Sequence, residues 1–335
     1  MCKNFRFTIF ILFLLLIFPI SVFAHSGRTD ANGCHTNRKT GDYHCHNKPT
    51  TIVTKKAKSE AKIEARTSAK NTIKTETRTF SPSSSQSGLQ VHFIDVGQGD
   101  SILIDFGKNE VLIDGGEESS GVENYINSYV EGPLEVMVAT HPHTDHIGGL
   151  IKVLDNFQVK EIWLNGDTSN SKTYQQFIAA VDSESTNVYK AKEGGVISLD
   201  SLNFTILNPP SILFSDTNNN SIVLRLKYGN TTFLFAGDAE QEAEADMLVA
   251  GNTLQAQILK AGHHCSRTSS SKSFLEKVKP KEAICMVGKN NKYGHPNQET
   301  LANLKEVGAN IYRTDINGTI IVATDGKNYK IKTSK

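Results

Sequence analysis

The stretch "ATHPHTDHIGG", Ala139–Gly149, sets three histidines and an aspartate within six residues, directly after the apolar run "LEVMVA". The apolar run predicts a strand, and the pattern from Asp145 onward predicts a helix, with Gly148 and Gly149 easing the turn into it. Imidazoles two residues apart at a strand end can point into one space if the chain bends there. The adjoining Asp-His pair can then supply a second cluster. His141, His143, Asp145 and His146 therefore suit a centre of two metal ions, for which imidazole and carboxylate are ordinary ligands. A solvated histidine-rich loop is the competing reading, and the strand-to-helix setting disfavours it.

Four such side chains do not close two coordination shells, so further ligands are expected at other strand ends. "TTFLFAGD" ends in Asp238, placed to act as a bridging carboxylate, and "AQILKAGHH" ends in His263 and His264. Asp238 also suits a helix N-cap in "GDAEQEAE", which is compatible with ligation if its carboxylate turns toward the metals.

Outward from these motifs, Leu89–Lys335 alternates short apolar runs with segments of helical periodicity. The runs include "LQVHFIDVG", "DSILIDFG", "NEVLIDGG", "KEIWLNG", "LNFTILNP", "SIVLRLKYGN", "EAICMVG" and "TIIVAT", all read as strands. Helices are predicted in "SGVENYINSYVEG", "SKTYQQFIAAVDS", "AEQEAEADMLVA", "SKSFLEKVKP" and "NQETLANLKEVG". The mixture predicts sheets covered by helices in one domain over 89–335, with no convincing internal repeat. "TDINGT", Thr314–Thr319, is read as a hairpin turn, with Asp315 near the substrate.

The N-terminal part has a different composition. Residues 1–24 carry basic residues, an apolar stretch from Phe7 to Phe18 and small residues near Ala24, the layout of a secretory signal peptide; an uncleaved anchor is the alternative. Residues 25–49 form a Cys/His-rich module too poor in apolar area to hold itself together, so a Cys34–Cys45 disulfide or a metal held by His35, His44, His46 and the cysteines must staple it. Without Cys2, four cysteines remain and allow three pairings, of which Cys34 with Cys45 is expected for its locality. Residues 50–88 read as a disordered basic linker, either solvated or touching an anionic wall, lipid or nucleic acid surface. A formal net charge of +1 argues against a strongly electrostatic footprint for the whole chain.

Residues 89–335 resemble the metallo-β-lactamase-fold hydrolases, whose "HxHxDH" hallmark is met by His141, His143, Asp145 and His146. Asp114 of "VLIDGG" matches that family's early strand aspartate, Asp238 its bridging aspartate and His263 its late histidine. The order of "HFIDVGQGDSILI", "NNNSIVLRL", "FLFAGD", "LKAGHHCSRTSSS" and "YGHPNQETL" is similar to the extracellular hydrolase domain of ComEC-type competence DNA-uptake proteins. Residues 25–49 are similar to short YHYH-type modules. The resemblance implies a four-layer αββα sandwich of α/β (α+β) class, preceded by the small module and the linker.

It also implies two divalent ions, zinc or manganese, held by His141, His143, Asp145, His146, Asp238 and His263. Many relatives place another histidine where this chain has "TNNNSIVLRL", which leaves Asn220 or Ser221 as at most a supporting or substrate contact. Cys265 stands where the ComEC-like branch usually has glycine. Among metal ligation, pairing with another cysteine and simple replacement of the glycine, the last is expected.

The implied chemistry is hydrolysis by an acidified water, with no side-chain nucleophile. Asp145 would hold a metal and orient the water, while His264, Ser266 and His295 are candidates for gripping substrate oxygens or protonating the leaving group. Asp95, Gln98 and Asp100 are expected to shape the loop beneath the site rather than bind metal. The expected function is that of a secreted or surface-associated phosphodiesterase or nuclease acting on extracellular DNA, with no obligate protein partner evident. Alternatives are hydrolysis of another extracellular ester, lactone or wall-polymer phosphoester, and non-enzymatic wall or metal binding.

Overall fold

The computed structural model describes residues 88–335 and, in the N-terminal part, the backbone of β1, Cys34–Thr36, and β2, Tyr43–Cys45. The expected signal peptide, the rest of the 25–49 module and all but the last residue of the expected linker lie outside the described residues. Strands β1 and β2 are antiparallel, with Cys34 opposite Cys45 and His35 opposite His44; a bond or metal between these side chains also lies outside. The chain divides into Met1–Thr77 and Arg78–Lys335, and the second unit carries all the remaining described elements.

Two sheets form the centre of that unit. The first contains β3 (Leu89–Phe93), β4 (Ile102–Phe106), β5 (Asn109–Ile113), β6 (Leu134–Ala139), β7 (Val159–Leu164) and β8 (Asn187–Lys190). The second contains β9 (Val196–Leu199), β10 (Leu202–Asn208), β11 (Val223–Tyr228), β12 (Thr231–Phe235), β13 (Ile258–Lys260), β14 (Glu282–Cys285) and β15 (Asn310–Arg313). The last strands, β16 (Ile320–Thr324) and β17 (Tyr329–Thr333), return to the first sheet, whose order is β17-β16-β3-β4-β5-β6-β7-β8. The second sheet runs β15-β14-β13-β12-β11-β10-β9.

Each sheet has an antiparallel half and a parallel half: β5 to β8 are parallel neighbours in the first, β12 to β15 in the second. The shared plan is a structural repeat that the sequence does not display. Hydrophobic pattern constrains which face a residue occupies, and many residue combinations satisfy the same pattern.

Alternation along each strand sorts the side chains. Val91, Phe93, Ile102, Ile104, Val111 and Ile113 point between the sheets and meet Phe204, Leu224, Phe233 and Phe235 of the second. Their alternates Leu103, Leu112 and Met137 point outward against α1 (Val122–Ile126), α2 (Thr144–Asn156) and α3 (Lys172–Ser183). Leu234, Leu259 and Ala283 do the same against α4 (Gln241–Val249), α5 (Lys272–Val278) and α6 (Gln298–Glu306). The result is the expected helix–sheet–sheet–helix sandwich. Strand β6 is buried at every position, as required of a parallel strand covered on both faces.

Three features differ from the sequence reading. Gly148 and Gly149 lie inside α2 and not in a turn leading to it. A Cβ at Gly149 would strike the Gly115 carbonyl oxygen, and one at Gly148 the Glu118 amide. These glycines let the helix lie directly on the "DGG" loop, where Gly115 N donates to His146 O at 2.7 Å and Gly149 N to Gly116 O at 2.9 Å. "TDINGT" holds a single helical turn, α7 (Thr314–Asn317), ended by left-handed Gly318, and Asp315 there is paired with Arg313. Finally, β8, β9, β15 and β17 escape the sequence reading, because outer strands are only partly covered and carry weak apolar patterns such as "YKIKT".

The packing of α2 gives a test. Alanine is the better helix former by about 1 kcal/mol, yet Gly149→Ala is expected to destabilise by about 2 kcal/mol through overpacking against the Gly115 backbone. Urea denaturation measures this, and an unchanged or raised midpoint contradicts the packing argument.

Candidate metal centre

The C-terminal ends of the parallel strands of both sheets converge, the place where open α/β sheets ordinarily build sites. Strand β6 delivers His141 and His143, the first turn of α2 delivers Asp145 and His146, β12 leads to Asp238, and β13 leads to His263 and His264. The hub is Asp238, which is 2% exposed. Its Oδ2 lies 3.2 Å from His146 Nε2, 3.3 Å from His264 Nε2, and 3.9 Å from both His141 Nε2 and His263 Nε2. On the far side of the cluster, Asp145 Oδ2 lies 3.3 Å from His264 Nε2.

Three of the imidazoles, those of His146, His263 and His264, are oriented from behind. Asp114 accepts from the Thr140 amide at 2.8 Å and the Thr140 hydroxyl at 2.7 Å, and its Oδ2 lies 2.8 Å from His146 Nδ1. His264 Nδ1 donates to the Met286 carbonyl at 2.9 Å, and His263 Nδ1 to Glu240 at 2.8 Å. Committing Nδ1 outward leaves the Nε2 of these three facing the cluster, which is how metal-binding histidines are usually held. His141 Nε2 and His143 Nδ1 face each other at 3.0 Å.

These donors fit a cation. His146 Nε2, His264 Nε2 and Asp238 Oδ1 are buried with no hydrogen-bond partner. Among the described residues, four groups of three ligand-type side chains bring their atoms within 4.8 Å of one another: His141/His146/Asp238, Asp145/His146/His264, Asp100/Asp238/His264 and Asp100/Asp114/His146. Asp100, Asp114 and Asp238 are almost fully buried, Asp145 partly so, and the buried ammonium near them is that of Lys260. That excess of negative charge is costly unless cations balance it.

Without a bound ion, protonated imidazoles would do this. Burial works against the charged form of His146 and His264, but Asp238 together with Asp114 and Asp100 holds both well above the ordinary histidine range. Burial likewise opposes ionisation of Asp238, and His146 and His264 overcome it, keeping the carboxyl well below its usual range. His141 is pushed well down by burial and by the charge on His146. A divalent ion would displace such protons, as metal binding to histidine generally does.

The structure redistributes several expected roles. His264, expected to face the substrate, is 1% exposed and wedged between Asp145 and Asp238 inside the donor cluster, whereas His263 sits at its rim. Ser221 is fully buried behind His141, its Oγ 3.3 Å from His141 Nδ1 and accepting from the Asp238 amide at 3.0 Å. It braces the site and is not presented to a substrate. Ser266 turns inward to Thr268 at 3.0 Å, and Asn220 is consumed by Phe214 and Asp167. His295 does face the cluster, its ring centroid 5.4 Å from that of His263, and burial and the neighbouring histidines lower its pKa to about 4.

Asp95 and Gln98 shape loops, bonding Lys335 and the Gly288 amide. Asp100 does more than expected: it contacts Lys260 and lies 3.3 Å from His264 Nδ1. Lys260, with no solvent exposure, also donates to the Gly237 carbonyl at 2.7 Å and lies 3.7 Å from Asp238 Oδ1. The signal for Lys260 was a lysine inside the apolar run "QILKAG", where both neighbours must be buried. Glu240, which orients His263, carried no such signal in its acidic helix start.

The turn carrying His263, His264 and Cys265 has three successive left-handed residues, with φ of 44°, 52° and 60°. For residues with a Cβ each such conformation costs about 1–2 kcal/mol. Cys265 does not merely replace a glycine here: it forms a disulfide with Cys285.

Residues 94–289, more than half of the chain, match the metallo-beta-lactamase superfamily. ComE operon protein 3 of Bacillus subtilis is 31% identical over 259 residues, covering 71% of this chain and 33% of that protein. Competence protein ComA of Neisseria gonorrhoeae is 29% identical over 230 residues, covering 68% of this chain and 31% of that protein. The chain thus spans about a third of the length of these relatives. The metallo-beta-lactamase fold protein YhfI from Bacillus subtilis superposes with a TM-score of 0.50 at 13% identity, covering 71% of this chain and all of that one, and shows the shared fold. The chain belongs to the metallo-beta-lactamase superfamily and is a metal-dependent hydrolase related to the competence proteins.

Proposed function

We propose that the chain is a phosphodiesterase that cleaves nucleic acid, DNA in particular, outside the cell. The observation that carries the reading is the convergence of four imidazole Nε2 atoms within 3.9 Å of a single oxygen of Asp238. A buried carboxylate so surrounded is arranged to be shared between cations. His141, His143, Asp145, His146, Asp238, His263 and His264 would hold the divalent ions. Divalent ions held there supply Lewis-acid polarisation of a phosphoryl oxygen and lower the pKa of water.

The chain's own residues supply the rest. Asp114 keeps His146 in the tautomer that aims Nε2 inward, and Glu240 does the same for His263. Lys260 offsets part of the carboxylate charge from beneath. The loop bearing His295 presents an exposed Tyr293, 54% accessible, whose ring centroid lies 5.9 Å from that of His295, with Lys292 Nζ 5.2 Å from the tyrosine ring. Exposed aromatic and basic side chains beside a hydrolytic centre suit an unpaired base and its phosphates. The surface around Arg267 carries Asp216, Glu240, Glu242 and Glu299, which disfavours a polyanion there. A nucleic acid strand would therefore cross the Lys289–Lys292–Tyr293 side. The competence relatives and the expected signal peptide support DNA as substrate and an extracellular site of action.

Incubation of the purified protein with Mn²⁺ or Zn²⁺ and with single-stranded DNA, double-stranded DNA or a bis-aryl phosphodiester tests the activity. No cleavage of any of the three, or cleavage undiminished by His143→Ala, rules the reading out. Asp114→Asn, which leaves the ligand atoms in place but loosens His146, is expected to lower metal affinity or turnover about 10- to 100-fold. Lys260→Met strands the buried Asp100 carboxylate and is expected to cost about 3–5 kcal/mol of stability in the metal-free protein; denaturation after chelation measures it, and a wild-type midpoint refutes the ion-pair argument.

A further inference from the structure

We propose that the Cys265–Cys285 disulfide is a positioning pair for the metal centre: it holds the left-handed turn His263–Cys265 so that His264 stays between Asp145 and Asp238. The proposal rests on reading that cluster as a metal centre. Cys265 ends the turn, and Cys285 is the last residue of β14; both are fully buried, with Cα atoms 5.6 Å apart. The residue before Cys265 and the residue after Cys285 are also joined, since His264 Nδ1 donates to the Met286 carbonyl at 2.9 Å. Two adjacent residues of one strand end thus grip two adjacent residues of the turn, one pair covalently and one by hydrogen bond.

The His264 ring is held at Nδ1 by the Met286 carbonyl and flanked by Asp100 at 3.3 Å, but these contacts do not fix the left-handed backbone that carries it. The second point of attachment fixes that backbone, and with it the 3.3 Å approaches of Nε2 to Asp145 and Asp238. The backbone shows why a clamp is required. His263, His264 and Cys265 all lie at positive φ without glycine's tolerance of that region. The main-chain bonds of the turn, His263 N to Gly237 O at 3.1 Å, Cys265 N to Gly262 O at 3.0 Å, Ser266 N to His263 O at 2.7 Å and Asn297 N to Cys265 O at 2.8 Å, hold its backbone on either side of His264 but not the His264 ring. Strand β14 is itself firmly seated, pairing with β13 and β15 on either side.

Two double variants of the full chain separate positioning from bulk stability. Cys265→Ala/Cys285→Ala removes the bond but keeps a Cβ at the left-handed position. It is expected to raise the Mn²⁺ dissociation constant, read by competition with a chelator, about tenfold or more, and to lower kcat on bis(p-nitrophenyl) phosphate similarly. Cys265→Gly/Cys285→Ala also lacks the bond but lets the turn adopt positive φ freely, and is expected to recover most of the metal affinity and kcat. Both variants are expected to melt at a lower temperature than the parent.

Parent-like metal affinity and kcat in the alanine pair, with only the melting temperature lowered, overturns the proposal, as does a glycine variant no better than the alanine pair. Peptide mapping that finds free thiols at Cys265 and Cys285 in the active protein also overturns it. Should the alanine pair not fold, Mn²⁺ retention is followed while the parent is titrated with a thiol reductant: retention that falls with loss of the bond supports the role, and unchanged retention refutes it. A parent protein that binds no divalent ion overturns the metal-centre reading together with this proposal, whereas intact metal binding with insensitive variants overturns this proposal alone.

Discussion

The negative charge of Asp238 has almost no water to solvate it, and the surrounding residues are arranged to replace that solvent. Four imidazoles approach one of its oxygens and an ammonium lies near the other. An isolated buried carboxylate would take up a proton, since burial disfavours its charged form; here the neighbouring positive groups keep it ionised. The same constraint explains Lys260. A lysine with no solvent exposure is expensive in a sheet, and it is compensated only because Asp100, Asp238 and the Gly237 carbonyl lie around its ammonium.

The fold's task is to bring this charge cluster together from distant parts of the chain. The parallel half of one sheet supplies the Asp114, His141 and Asp145-His146 group, and the parallel half of the other supplies Asp238 and the His263-His264 turn. Two close backbone approaches make the assembly stiff. Helix α2 rests on the "DGG" loop through glycines that leave no room for a Cβ, and this sets His146 against Asp114. The His263–Cys265 turn is tied to the end of β14 by a disulfide and a hydrogen bond. Sites held within fractions of an ångström depend on such supporting contacts as much as on the ligands themselves.

Much of this was legible in the sequence. Ligand-type residues clustered at the ends of apolar runs betray themselves because a buried strand has no other reason to end in "HPHTDH" or "GHH". The central strands and six helices were equally clear, since burial on one or both faces imposes a regular pattern. Outer strands such as β8 and β17 were not, because half-covered strands need no such pattern. The distinction between His263 and His264 was also illegible. Adjacent residues share a sequence context, and only the left-handed backbone of the turn buries the His264 ring within the cluster and leaves the His263 ring at its rim, held by Glu240.

The sequence by itself therefore determined the class of fold, the chemistry of the donors and most of the residues that meet, because burial and ligand type are properties of single residues and short patterns. Tertiary structure alone decided which atoms face one another. It made Ser221 a brace rather than a contact, placed Asp100 beside His264, buried Lys260 beneath the carboxylates and joined Cys265 to Cys285. Those outcomes depend on distances between segments tens to hundreds of residues apart, which the packing of two sheets fixes and no local pattern records.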